Sequence, residues 1–90
     1  MENHNELEKI LKALASRRRL AVLACLKKAG ELMVGDVAGA IRLSFAATSR
    51  HLIILERSGI LEKEQRDKNV FYRLRQPAPR GFVESLLSEL

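Results

Sequence analysis

The 90-residue chain has no tryptophan, a single cysteine and only 4% aromatic residues. So few rings exclude the aromatic stacking platform on which proteins hold single-stranded nucleic acid. One thiol, Cys25, excludes an internal disulfide. No apolar run approaches the roughly 18 residues that a membrane span needs. The first residues, MENHNELEK, have neither the basic start nor the apolar stretch of a secretion signal. The expectation is a reducing, cytoplasmic location with no membrane partner. Catalytic chemistry is scarce as well. His4 and His51 lie far apart, no acid and base are paired, and no phosphate-cradling loop occurs, so an enzyme is not expected.

What is present is the balance of an ordinary folded protein, 47% hydrophobic and 30% charged. The length fits one domain, 1–90. The net charge of +5 is unevenly spread: residues 16–30 carry five basic residues and no acid. Residues 16–76 sum to +7 and the two ends together to −2. A basic centre with mildly acidic ends suits a polyanion-binding body, and a merely solvated basic surface is the alternative. A domain of this size has a thin core, which favours a homodimer that shares one.

Leu7, Ile10, Leu11 and Leu14 recur at helical spacing and predict a helix over about 5–15. Ser16 suits the cap of a second, 17–28, with Leu20, Leu23 and Leu26 inward and Gly30 as its stop. MVGDVAGAI predicts a short helix over 33–41, with Val34, Val37, Ala38 and Ile41 on one side. Ser44 caps the next, 45–57, which ends at Ser58-Gly59. Two short helices joined by a tight turn make a helix-turn-helix, here about 33–58. Val70-Phe71-Tyr72-Arg73-Leu74 is rich in strand formers, and Arg66-Asp67-Lys68-Asn69 supplies turn chemistry, which predicts a hairpin over about 60–75. Phe82, Val83, Leu86, Leu87 and Leu90 stripe a final helix, about 79–90. The fold class is therefore mostly α with a β-hairpin wing, a winged helix-turn-helix. In that arrangement the second helix of the pair enters the major groove and the hairpin reaches the neighbouring backbone.

The runs LKALASRRRLAVLACL, GELMVGDVAGAIRLS and TSRHLIILERSGILEKEQRDKNVFYRL together resemble the ArsR/SmtB family of bacterial winged-helix repressors. The likeness covers roughly residues 7–75. Its most specific part is Ser49-Arg50-His51-Leu52, then Leu55 and Ser58-Gly59-Ile60-Leu61. The resemblance implies a homodimer built from the first and last helices, a double-stranded DNA operator of two half-sites, and transcriptional repression. Many members of the family release DNA when a metal or another effector binds. The two terminal stripes support a dimer independently, with Leu7, Ile10, Leu11, Leu14, Phe82, Val83, Leu86, Leu87 and Leu90 as its interface. The alternative is that both stripes close the monomer core.

Candidate DNA contacts follow. Ser44, Ala46, Ser49 and Arg50 lie early in helix 45–57. Arg pairs bidentately with guanine, and Ser donates or accepts. The resemblance carries the DNA-contacting role to Ser49 and its neighbours. His51 adjoins the core stripe and suits a structural or phosphate-contacting role better than a ligand, since no second ligand is near. Phe45 and Ile53 depart from the polar residues usual in the family. Phe45 reads a thymine methyl or packs under the turn as a hydrophobic staple. Ile53 covers the wing, or joins Phe45 in an apolar patch for a protein partner. Arg66 and Lys68 at the wing tip are placed to meet phosphate, with Arg73 behind them. Arg17 and Arg18 open a helix, where their charge opposes the dipole unless a phosphate lies close. Arg19 is expected to be internal.

Metal-sensing relatives carry cysteines where this chain has Met33 and Gly35, and the final helix has Glu84 and Glu89 but no His, so no metal and no cofactor are expected. Cys25 reads as a small buried hydrophobe. Glycine is usual in the family at the position of Arg42, so a left-handed backbone there would be strained. Two functions remain open: a homodimeric DNA-binding repressor with an unidentified effector, and a protein-interaction module on the same scaffold. The basic centre, the helix-turn-helix and the wing agree on the first.

Overall fold

Ser16 begins the second helix as expected: its hydroxyl accepts from the Arg19 backbone N–H at 3.2 Å. The computed structural model describes residues 4–90. Its elements run α1 (His4–Leu14), α2 (Arg17–Ala29), β1 (Glu31–Met33), α3 (Val34–Ile41), α4 (Phe45–Arg57), β2 (Leu61–Arg66), β3 (Asn69–Leu74) and α5 (Gly81–Ser88). This is a winged helix-turn-helix.

Gly30 ends α2 at φ 91°, a backbone that a side chain would strain. The chain then enters a strand, β1, that no local sequence signal marks. β1 pairs antiparallel with β3, Leu32 opposite Tyr72, in a sheet of order β1-β3-β2. Three residues carry no readable period, so only pairing with a distant strand reveals them. β1 also delays the start of α3 to Val34. α3 ends at Arg42, whose φ of 57° and ψ of 52° put a non-glycine residue in the left-handed region. α5 is shorter than expected, beginning at Gly81 and ending at Ser88.

The core is drawn from every helix and from the hairpin. Val22, Leu23, Leu26, Val37, Leu52, Leu55, Ile60, Leu61 and Val83 are fully buried. Leu20, expected inward, is only half-buried, and Val22 takes the core position instead. The terminal stripes divide between two roles. Ile10, Leu14, Val83 and Leu87 belong to the core of the single chain. Leu11 is 50% exposed, Phe82 41% and Leu90 39%; Leu7 and Leu86 are half-buried.

Candidate nucleic-acid interface

The helix-turn-helix points the start of α4 outward. Ser44 caps it, its hydroxyl accepting from the Ala47 backbone N–H at 3.1 Å. Past the cap, Phe45, Ala46 and Arg50 are exposed and Ser49 is half-buried. One turn in, Thr48, Leu52 and Leu55 are buried and lock the helix to the core. The opening turn is thus held from beneath and bare above.

Phe45 does not pack under the turn: it is 63% exposed. It occupies the first helical position, whereas a hydrophobic staple uses the residue before the cap, here Leu43. Nor does it share an exposed patch with Ile53, which is half-buried. The other exposed apolar residue of α4 is Ile54, 41% exposed. Nine residues on, it projects from the opposite side of the helix.

The wing is a two-faced hairpin. Along β2, Glu62, Glu64 and Arg66 alternate with Lys63 and Gln65, so the two sets lie on opposite faces. On the first face Arg66 donates to Glu31 at 2.7 and 2.8 Å and to Glu64 at 3.1 Å. Its guanidinium lies 4.4 Å from the Phe71 ring centroid. Arg73 donates to Glu62 at 2.7 Å and to Glu64 at 2.9 Å. Hydrogen bonds from Arg66 hold the Glu31 and Glu64 carboxyls below the usual range. Glu31, Glu62 and Glu64 in turn raise the two arginines. Arg66, expected to meet phosphate, is therefore engaged within the sheet, and so is Arg73. The exposed cation of the turn is Lys68. On the opposite face Lys63 and Gln65 share a cleft with Phe45, Ser49 and Val70. Lys63 was not singled out in the sequence, although the alternation along β2 separates it from the glutamates.

His51 and Arg19 form a partly buried joint. Arg19 donates to the carbonyls of Ala13 at 2.6 Å and Lys12 at 3.1 Å, and its Nη1 lies 3.2 Å from His51 Nδ1. Because a guanidinium can only donate, His51 Nδ1 accepts and the ring is neutral. Burial, and then the charges of Arg19, Arg50 and Arg18, push its pKa down. Arg19, expected to be internal, is thus only half-buried but held within the chain, while Arg17 and Arg18 are exposed beside it. They border a groove of about 1030 Å³ between α2 and α3, which Cys25 also lines. Burial raises the Cys25 thiol, which keeps it protonated. Among the described residues, no three His, Cys, Asp or Glu side chains converge as a metal site would require. No helix there is long and apolar enough to cross a membrane.

With this geometry in hand, the likenesses to known proteins are decisive. The model of the bacterial regulatory protein, arsR family, matches residues 16–63, from the α2 cap into β2. The chain belongs to the ArsR family. Its relatives include the transcriptional activator HlyU of Vibrio cholerae, 35% identical over 93% of this chain and 83% of that protein. The biofilm growth-associated repressor of Xylella fastidiosa is 34% identical over 91% and 71%. Among solved structures, a homodimeric winged helix-turn-helix DNA-binding domain from Mycobacterium bovis superposes with a TM-score of 0.78 at 27% identity, covering 94% of this chain and 74% of that one. This ArsR-family chain is accordingly a transcriptional regulator.

Proposed function

We propose that the chain, as one domain over 1–90, is a cytoplasmic homodimer that binds a two-half-site duplex operator and represses transcription without a metal, a cofactor or any catalytic activity. One observation carries the DNA reading. The capped start of α4 presents Ser44, Ala46, Ser49 and Arg50 beside Lys63 and Lys68, and none of these three cations makes an ion pair among the described residues. Arg50 and Ser49 read base edges, while Lys68 and the pair Arg17 and Arg18 meet phosphate. His51 supports α4 through Arg19 and touches DNA at most from its outer edge. Repression is the direction carried forward, although the named relatives include an activator as well as a repressor.

The dimer uses what the monomer leaves uncovered: Leu11, Phe82 and Leu90, with the half-buried Leu7 and Leu86 beside them. A two-fold axis through these helices would present two copies of α4 to successive major grooves.

The test separates base reading from phosphate contact. On a duplex from its own upstream region, Arg50→Ala should cost about 1–3 kcal/mol and relax the preference over a scrambled duplex. Lys68→Gln should weaken both duplexes alike. Unchanged discrimination in Arg50→Ala would contradict the assignment of Arg50.

A further inference from the structure

Phe45 is an exposed aromatic ring in a chain that has few. Leaving it in water forfeits most of the stabilisation that burying such a side chain brings. It is also not isolated. It lines two clefts, of about 370 and 410 Å³, and both are also lined by Val34 at the start of α3 and Val70 of β3. Phe45, Val34 and Val70 thus form an apolar notch where helix-turn-helix meets wing. Polar groups surround it: Ser49 and Lys63 line one cleft and Lys68 the other, with Asp36 the one acid at its edge.

An apolar notch within a cationic surface fits a partner that is itself apolar in one spot and anionic around it. Duplex DNA has that pattern in the major groove. There the thymine C5-methyl is the apolar group presented between base edges, and phosphates flank it on both strands. A protein partner would instead require the apolar surface to continue, and along α4 it does not: Ile53 is half-buried, and Ile54 lies on the opposite side of the helix. We infer that the Phe45, Val34 and Val70 notch receives a thymine methyl and so selects a thymine in each half-site. This rests on the DNA-binding function proposed above and adds a base to it. Arg50 and Ser49 supply hydrogen bonds to neighbouring base edges, and the notch supplies the contact that distinguishes thymine from cytosine without one.

The experiment removes the methyl and nothing else. A tight-binding duplex is first selected from a random pool with the full chain. Each thymine of a half-site is then replaced in turn by deoxyuridine, which keeps every hydrogen bond. Binding is measured for the wild type and for Phe45→Ala, a substitution at an exposed position that leaves the core intact. At one thymine per half-site the wild type should lose about 3- to 5-fold in affinity, the worth of burying one methyl group. Phe45→Ala should bind the thymine and deoxyuridine duplexes equally while keeping its salt dependence. The inference is overturned if no replacement weakens the wild type, or if Phe45→Ala loses as much as the wild type does. If no duplex is selected over random sequence, the DNA-binding function itself fails, and this inference with it.

Discussion

Arg66 and Glu31, 35 residues apart, meet through two hydrogen bonds of 2.7 and 2.8 Å across the sheet. The pair ties the start of the wing turn to β1, directly ahead of α3. It also engages the most obvious phosphate-binding arginine of the wing in ion pairs, although that side chain stays 43% exposed. Arg66→Gln should therefore leave the salt slope of duplex binding nearly unchanged, whereas Lys68→Gln should lower it by about 1. Binding measured across a salt series distinguishes them. An equal fall in both slopes would mean that Arg66 leaves Glu31 for phosphate.

His51 makes stability depend on pH. Its depressed pKa means that the unfolded chain takes up a proton on this residue before the folded chain does. Stability is then full above the unfolded value of about 6.5 and declines as pH falls through the lower folded value. Urea midpoints taken from pH 7.5 downward should show this decline. In His51→Asn, whose amide oxygen can still accept from Arg19, the decline should be shallower. An unaltered pH dependence in the variant would assign the effect to other groups.

Thr48 is fully buried, and its Oγ1 has no hydrogen-bond partner among the described residues. An orphaned hydroxyl in the core costs about 1–3 kcal/mol, whereas an apolar group of the same shape does not. Thr48→Val should therefore stabilise the fold by about 1 kcal/mol and raise the melting temperature. A clear loss of stability would show that the hydroxyl is satisfied.

Leu11 is the most exposed apolar residue of α1. Leu11→Glu places a charge in the proposed dimer surface without touching the core of the chain. Sedimentation velocity should find the wild type as a dimer and the variant shifted toward monomer, with an unchanged circular dichroism spectrum. A variant that sediments as the wild type does would place the interface elsewhere.

The helical framework was legible because its signals are local. Ser16 and Ser44 act as caps within three residues of the groups they bind, and Leu52 and Leu55 repeat at helical spacing. What escaped the sequence depends on distant partners. β1 exists only through β3. Arg66 looks like a free tip cation until Glu31 is folded against it. Leu20 and Val22 are equally apolar, and only the angle at which α2 meets its neighbours buries the second. The apolar stripes of α1 and α5 gave no sign of which half would close the monomer. The exposure of Phe45 was likewise undecidable between packing and reading, because the cleft beside it is built from α3 and the wing.

The most direct test of the account is fluorescence-anisotropy binding to a duplex from the chain's own upstream region and to a scrambled duplex, over a range of salt concentrations. The account predicts tighter binding to the native duplex, weakening steeply as salt rises. No binding to either duplex at low salt would contradict it.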